Sequence, residues 1–483
     1  MSKFNQTATT KVNNYEGGIN YLNDAKIELS SIVLNATMSR DSFYETQSDK
    51  IEIIKNLIAL EQSSFIAKLS IFARTQTNLR SVSHVLIILL AEHNDKSGNL
   101  RKMVYHSIAR VDDMTEIVSL WNARHPNKMV PNSIRRAFRD ILDEARFDEY
   151  QLKKYEQKKK KVKLKDIIRI AKPSKSLEIY KNVLDEKLAR IDTIHTNISK
   201  YKSAKVLFEK GLKTRKLGFM EVLKLSNKIF EGAFDEKLFL SWRSYILNEY
   251  RIKNSKVLPF RYFQTYVALK NHPQSELFKE VLQKAFLIAT KSDETIIEPN
   301  ETIAIMIDDS GSMSSRSLGL NLFEHALLFT ASIASKINHQ NLKLYFWADR
   351  CEEFSFDTTK PFDLIINSSA NYGGTLVNKP FEILLRDDIK VDKAIIFTDC
   401  QMYSNSYRNN ETFKTYFDKY KKEVNSECKL LFWDLEGYGA GTPIKLSENI
   451  VEANGISSKM LEIIPHLWDD KDYLVKEIEK ISL

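Results

Sequence analysis

The 483-residue sequence has few cysteines and no long apolar run, and each absence excludes a class of protein. Its three cysteines, Cys351, Cys400 and Cys428, have neither a CxxC spacing nor a nearby histidine, which argues against a disulfide framework and a zinc site. The best apolar run, 85–91, is far shorter than the ~18 residues that a membrane helix needs. No apolar stretch follows Met1–Gln6, so we expect no secretory signal and a cytoplasmic protein without a membrane partner.

The overall composition is that of a folded protein with more than one domain. Hydrophobic residues make up 43% of the sequence and charged residues 28%, which excludes a wholly disordered chain. At roughly 100–200 residues a domain, this length predicts two to four domains.

Charge divides the sequence into a basic part and an acidic part. Residues 1–300 contain 52 Lys and Arg against 35 Asp and Glu, a net charge of +17, whereas residues 301–483 contain 20 against 28, a net charge of −8. A basic region of this size suits a polyanionic partner, most often a nucleic acid or an anionic membrane surface. A solvated lysine-rich surface without such a partner is the alternative.

The basic part has a helical pattern from the Gly17-Gly18 turn to about residue 290. Short apolar stripes recur at three-and-four spacing, as in Ile51, Ile54, Leu57 and Ile58. Successive short amphipathic helices predict helix pairs that stack as a solenoid. Because no fixed repeat period is visible, an irregular helical domain remains the alternative.

One helix of this part is a candidate anion-binding element. Lys165 and Arg169 lie four residues apart on a predicted helix that Pro173 ends, and like charges at that spacing repel each other by a few tenths of a kcal/mol. A helix that tolerates this repulsion suits an anionic partner.

After residue 292 the pattern changes to strands that alternate with helices. Segment 294–300 is a plausible linker, and the apolar run Ile303–Ile307 is typical of a buried parallel strand. Further strands are predicted at 342–347, 394–397 and 430–433, and helices at 318–337, 380–385 and 470–481. This alternation predicts a doubly wound α/β domain.

Five oxygen-bearing side chains follow the ends of the predicted strands. Asp308, Ser310 and Ser312 come directly after the first strand, Asp399 follows a later one, and Thr375 follows a Gly-Gly pair. In an open parallel sheet, ligands bind outside the carboxyl ends of the strands. Carboxylates and hydroxyls are hard donors, so the set predicts Mg²⁺, with Mn²⁺ as a second possibility. So few protein ligands would leave a coordination position for an outside carboxylate or phosphate.

This order of DxSxS, Thr and Asp resembles the von Willebrand factor A-like domain over about residues 300–483. The resemblance implies that the five side chains form a metal-ion-dependent adhesion site. The alternative is that Ser310–Ser312 caps the next helix and that the Gly-Gly-Thr segment is only a turn.

A helical region followed by such a domain resembles the Ro autoantigen family, whose helical part is the TROVE module. The segments that carry the resemblance are 14–21, Phe65–Arg74, Ser133–Arg139, Lys165–Arg169 and Leu258–Leu269. It implies a HEAT-like solenoid closed into a ring over 14–298, an A-like domain over 300–483, and no enzymatic activity. Two departures are Leu258-Pro259-Phe260, where the family has His-Pro-Phe, and the basic insert Lys158–Lys161.

The same resemblance implies a function in noncoding RNA quality control. Y-like RNAs would bind the basic outer surface, and single-stranded 3′ ends of misfolded RNAs would enter the central hole. A monomeric protein in a ribonucleoprotein is expected, with an exoribonuclease as a further partner. The implied RNA-binding residues are Lys165, Arg169, Lys172, Arg135, Arg136 and Arg139.

Two other functions are compatible with the motifs. A phosphatase of the haloacid dehalogenase type also has an Asp after its first strand, but it needs a second Asp two positions later, where this sequence has Ser310. A protein-binding adaptor would use the metal site to take an acidic residue from a partner and the solenoid as a scaffold. Mg²⁺-dependent turnover would favour the enzyme, and absence of co-purifying nucleic acid would favour the adaptor.

Overall fold

The chain forms two compact units in the computed structural model. The structure describes residues 11–35, 47–93, 96–155, 161–174, 177–188, 203–214, 217–255, 257–291, 298, 300–317, 319–371, 373–403, 412–438 and 441–483, so most of the Lys158–Lys161 insert lies outside it. One unit consists of residues up to 57 and 233–477, and the other of 58–232 and 478–483. Both ends of the helical region thus belong to the unit that contains the α/β domain. The predicted boundaries of 14–298 and 300–483 stay a prediction.

The region before residue 290 is helical after a short β-hairpin, as its apolar periodicity predicts. The hairpin pairs β1 (Lys11–Asn13) with β2 (Ile19–Tyr21). The described helices are α1 (Ala25–Asn35), α2 (Gln47–Leu60), α3 (Ser63–Thr75), α4 (Arg80–Glu92), α5 (Asn99–Ser107), α6 (Val111–Arg124), α7 (Asn132–Asp143), α8 (Glu149–Lys154), α9 (Leu164–Ala171), α10 (Glu178–Leu184), α11 (Ala204–Thr214), α12 (Phe219–Ile229), α13 (Glu236–Ile246), α14 (Glu249–Ser255), α15 (Phe260–Leu269) and α16 (Ser275–Ala289).

The helices of unit 58–232 stack as pairs. Helix α3 packs on α5, α5 on α7 and α7 on α9, whereas α4 packs on α6 and on α3. Alternate helices therefore form two layers, which is the arrangement of a helical-repeat solenoid. The apolar stripes supply its core, because residues such as Ile66, Leu69 and Leu86 are fully buried.

The acidic part forms a six-stranded sheet with helices around it. Its strands are β3 (Ile303–Asp308), β6 (Leu342–Trp347), β7 (Cys351–Glu353), β8 (Lys393–Thr398), β9 (Lys429–Asp434) and β10 (Ile450–Asn454), and its helices are α17 (Leu322–Ala334), α18 (Pro361–Asn367), α19 (Lys379–Arg386), α20 (Phe413–Glu423), α21 (Met460–Leu467) and α22 (Tyr473–Glu479). The strand order is β10-β9-β8-β3-β6-β7, and all pairings are parallel except that of β6 with β7. The predicted doubly wound fold is confirmed.

Two local predictions differ from the structure. The helix expected over 318–337 extends only from Leu322 to Ala334, because the small hairpin of β4 (Arg316–Ser317) and β5 (Leu320–Asn321) precedes it. Asn321 caps that helix: its side chain accepts from Glu324 N at 2.7 Å, and the Glu324 carboxylate accepts from Asn321 N at 2.8 Å. The closing helix, expected over 470–481, is also shorter, at Tyr473–Glu479.

The N-terminal segment packs against the carboxyl ends of strands β9 and β10. Asn35 donates from Nδ2 to the carbonyl of Asp434 at 3.1 Å and accepts from Gly455 N at 2.9 Å. Lys50 pairs with Glu436. Residues that lie some 400 positions apart in the chain thus share one core.

Two negative predictions concern cysteines and membrane helices. Cys351, Cys400 and Cys428 are free thiols, and the last two are buried, as expected of small apolar groups. Within the described ranges, no helix has the length and apolar character required to span a bilayer.

Candidate functional site

The predicted metal ligands lie at the carboxyl end of the two central strands. Asp308 is the last residue of β3, and Asp399 directly follows β8, which pairs with β3 in parallel. The parallel register therefore places the two carboxylates at the same edge of the sheet, as the sequence predicts.

Two loop contacts join the remaining predicted ligands to that edge. Ser310 forms an isolated bridge with Gly373, and Gly311 N donates to the Gly373 carbonyl at 3.2 Å. Thr375 accepts from Tyr403 N at 2.9 Å through its own carbonyl. The Gly-Gly-Thr segment therefore lies between the loop after β3 and the loop after β8. All five predicted ligands are buried, with at most 4% of their surface exposed.

Hydrogen bonds fix the orientation of Asp308. Its Oδ1 accepts from Ser310 N at 2.9 Å, and its Oδ2 accepts from the Thr398 hydroxyl at 2.7 Å. The hydroxyls of Ser310 and Ser312 lie 3.3 Å apart. Thr398 orients a candidate metal ligand, and the sequence did not single it out. Its position directly before Asp399, at the end of a predicted strand, could have indicated this role.

One oxygen of Asp399 has no hydrogen-bond partner among the described residues. Its Oδ1 accepts from Gln401 N at 3.2 Å, whereas its buried Oδ2 bonds to none of them. Burial, followed by the negative charge of Asp308, raises the pKa of Asp399 well above its usual value. Burial likewise raises the pKa of Asp308 to about 6, against the hydrogen bonds from Ser310 and Thr398.

This donor set fits a hard divalent cation. Two adjacent buried carboxylates repel each other, and a bound cation would supply the missing positive charge. Nowhere in the described part of the chain do three or more His, Cys, Asp or Glu side chains gather as metal ligands. The site therefore depends on two carboxylates together with hydroxyls, a set that suits Mg²⁺ or Mn²⁺ better than a soft metal.

Asp309, like Thr398, lies beside the candidate ligands but was not singled out from the sequence. Its Oδ2 accepts from Asn371 Nδ2 at 2.7 Å, and its buried Oδ1 has no hydrogen bond to the part of the chain that the structure describes. The contact joins the loop after β3 to the segment that precedes Thr375. Asp309 thereby helps to hold the two loops together.

The predicted RNA-binding residues lie on two helices that pack against each other, α7 and α9. Arg139 on α7 donates from Nε to the carbonyl of Ala171, the last residue of α9, at 3.0 Å. Lys172 follows in a left-handed conformation, with φ of 50°, and is exposed. The structure thus brings Arg139 and Lys172 together, and Arg139 satisfies a terminal helix carbonyl.

The other four predicted residues divide by exposure. Arg169 is 62% exposed and lies 3.8 Å from Asp166, and Arg136 is exposed. Lys165 pairs with Glu186 at 2.7 Å, and Arg135 is half-buried and bonded to Asn132. The cations available to a partner are therefore Arg136, Arg169 and Lys172.

Comparison with known proteins identifies the family. The TROVE domain matches residues 25–284, which is more than half of the sequence. The chain belongs to the TROVE domain family. Proteins of this family bind RNA and are not enzymes, which confirms the prediction of an RNA-binding, non-enzymatic protein.

The structure is also similar to that of a solved Ro protein. The crystal structure of the Deinococcus radiodurans RO (RSR) protein superposes with a TM-score of 0.58 at 13% sequence identity, covering 92% of this chain and 100% of that chain. At this identity the similarity shows the fold. Together with the TROVE match, it confirms the predicted relationship to the Ro family and the predicted order of a helical-repeat region followed by an α/β domain.

Proposed function

We propose that this TROVE protein binds noncoding RNA in the cytoplasm and acts in RNA quality control. Y-like RNAs would occupy its basic outer surface, and single-stranded 3′ ends of misfolded RNAs would enter the hole of a ring of helices. Family membership supports RNA as the partner, and the net charge of +17 over residues 1–300 supplies the attraction to phosphates.

The contact between α7 and α9 is the observation that carries the RNA proposal. Because Arg139 holds the end of α9 against α7, the exposed cations Arg136, Arg169 and Lys172 lie on one pair of packed helices and the residue that ends it. Lys and Arg contacts to phosphates supply affinity without reading long sequences. Such a surface suits a protein that recognises the shape and free ends of RNA.

The α/β domain contributes a metal site in this proposal. Asp308, Ser310, Ser312, Thr375 and Asp399 would hold Mg²⁺ or Mn²⁺, and the bound ion would supply a Lewis-acidic position for an outside carboxylate or phosphate oxygen. The unpartnered Oδ2 of Asp399 supports this assignment. An acidic protein partner at this site is the second candidate function, and it is compatible with RNA binding elsewhere.

The further partners are proposed from the family. The protein would be a monomer within its ribonucleoprotein and would act together with an exoribonuclease. Purification from native cells tests both functions, since an RNA-bound protein has a raised ratio of absorbance at 260 nm to that at 280 nm. A protein that carries only acidic polypeptides would favour the adaptor.

The experiment that tests RNA binding compares two charge-matched double variants. We expect Arg169→Ala with Lys172→Ala to weaken binding of a labelled RNA hairpin with a single-stranded 3′ tail by roughly tenfold, because two phosphate contacts are lost. Arg386→Ala with Lys390→Ala removes two exposed cations from the α/β domain and should leave the affinity unchanged. Fluorescence anisotropy measures both, and equal affinity of the two variants would refute the α7–α9 assignment.

A further inference from the structure

The N-terminal hairpin, residues 11–21, contacts the loop that carries Asp399. We call residues 399–403 the Asp399 loop. Asn14 donates from Nδ2 to the carbonyl of Met402 at 2.8 Å, and Asn20 donates from Nδ2 to the carbonyl of Cys400 at 3.1 Å. Both asparagines are buried, with 6% and 0% of their surface exposed. Two side chains near the start of the chain therefore hold the backbone beside a predicted metal ligand almost 400 residues later.

Hydrogen bonds through Gln401 connect the hairpin to the Asp399 carboxylate. Tyr15 N donates to Gln401 Oε1 at 2.8 Å. Gln401 in turn donates from its backbone N to Asp399 Oδ1 at 3.2 Å and from Nε2 to the Asp399 carbonyl at 3.3 Å. Gln401 is 1% exposed, so water does not compete strongly for these bonds.

The backbone of the two segments approaches so closely that only glycine is tolerated at one position. A Cβ atom on Gly18 would lie 1.7 Å from the carbonyl oxygen of Met402. On the other side of the contact, Cys400 has a φ of 62°, a conformation that a residue with a side chain adopts only when its surroundings hold it. The hairpin supplies that support through the Asn20 hydrogen bond.

The Asp399 loop also reaches a second predicted ligand. Tyr403 N donates to the Thr375 carbonyl at 2.9 Å, and Val377 N donates to the Tyr403 carbonyl at 3.0 Å. Movement of this loop would therefore displace both Asp399 and Thr375 relative to Asp308.

We propose that the N-terminal hairpin positions the metal site, with Asn14 and Asn20 as positioning residues that hold the Asp399 loop. The inference rests on the metal site proposed above. Because the coupling between two binding events is reciprocal, a metal ion that fixes Asp399 also strengthens docking of the hairpin. Metal occupancy in the α/β domain is thereby linked to the hairpin that precedes the TROVE region.

Mn²⁺ binding by the full chain tests the proposal. We expect Asn14→Ala and Asn20→Ala each to raise the Kd for Mn²⁺, measured by titration calorimetry, by roughly tenfold, since groups that orient metal ligands have effects of that size. Asn20→Ala leaves intact the turn in which Asn14 Oδ1 accepts from Gly18 N at 2.8 Å. Asn13→Ala is the matched control, because Asn13 lies on the same hairpin and is exposed; its Kd should equal that of the wild type.

Two further readouts separate positioning from a merely structural role. A structural role would lower the thermal unfolding temperature equally in EDTA and in Mn²⁺ and leave the Kd unchanged, an outcome that overturns the proposal. Hydrogen exchange on the wild-type chain requires no variant: Mn²⁺ should slow amide exchange at residues 14–21, and unchanged exchange there also overturns the proposal.

The outcomes distinguish a failure of the metal site from a failure of the positioning role. A wild-type chain that binds no Mn²⁺ refutes both. Normal Mn²⁺ binding by the wild type and by the variants refutes the positioning role alone.

Discussion

Both units bury acidic side chains, but they differ in how closely cations pair with those acids. In unit 58–232, Asp113 is fully buried, and its carboxylate lies 3.1 Å from Arg74 Nη2 and 2.5 Å from Arg80 Nε. Burial alone would raise the pKa of Asp113, but His84, 3.4 Å away, and the charges of Arg74 and Arg80 hold it well below its usual value. This cluster joins α3, α4 and α6, and each carboxylate oxygen of Asp113 has an arginine partner.

The unit with the sheet has one such pair, Lys50 with Glu436, but it also contains buried acids that form no ion pair with any described residue. Beside the Asp308–Asp399 pair, Glu28, Asp434 and Glu452 lie together where α1 packs on β10. Burial raises the pKa of Glu28 to about 7, and burial followed by the charge of Glu28 raises the pKa of Glu452. A cation beside a buried acid keeps that acid ionised, whereas we expect a buried acid without such a neighbour to respond to an added cation or to pH.

The largest expected effect is on the paired cluster. Asp113→Ala leaves Arg74 buried without its acid, and we expect it to lower the free energy of unfolding by about 3–5 kcal/mol. Asp140→Ala removes the same side chain from a half-exposed pair with Arg101 and should cost at most about 1 kcal/mol. Urea denaturation measures both, and similar losses would contradict the distinction between the two pairs.

The unpaired carboxylates at the metal site should respond in the opposite sense. Asp399→Asn removes the repulsion with Asp308 and keeps an oxygen that accepts from Gln401 N, so we expect it to stabilise the protein in EDTA by about 1–2 kcal/mol. The same variant should lose the rise in unfolding temperature that Mg²⁺ causes in the wild type. Thermal unfolding with and without Mg²⁺ measures both effects, and a variant that retains the full Mg²⁺ effect would exclude Asp399 as a ligand.

A smaller effect concerns the dependence of stability on pH. Because the pKa of Glu28 is higher in the folded chain than the 4.5 of a free side chain, the folded state binds its proton more tightly, and stability falls as pH rises from about 4.5 to about 7. Glu28→Gln should remove a part of this fall on the order of 1–3 kcal/mol. Glu448→Gln, at an exposed acid of the same unit, should leave the pH profile unchanged. A Glu28→Gln profile parallel to that of the wild type would count against a buried proton at this position.

Local patterns predicted most of the sheet and the positions of two candidate ligands at its edge. The strand over 342–347 has the predicted bounds, and Asp308 and Asp399 lie at strand ends, as the apolar runs 303–307 and 394–397 predict. Strand β10 was missed because its Ile-Val-Glu-Ala-Asn sequence contains a buried Glu452 and Asn454, which break the apolar pattern. Buried polar residues identify a strand only once their partners are known.

Long-range contacts could not be predicted from the sequence. The Gly17-Gly18 pair indicated a turn, and Gly17 has a φ of 78°, but nothing local showed that Gly18 packs on Met402. Likewise, the basic composition of α7 and α9 did not show that Arg139 caps α9 while Arg136 stays exposed. Which cation is paired depends on the tertiary structure, and pairing decides which cations a partner can reach.

The most direct test of the account is the salt dependence of RNA binding by the wild-type chain. If exposed lysines and arginines bind phosphates, the affinity for a hairpin RNA with a single-stranded 3′ tail should fall by roughly tenfold or more between 50 and 200 mM salt. An affinity that stays constant over this range would contradict the electrostatic basis of the proposed function.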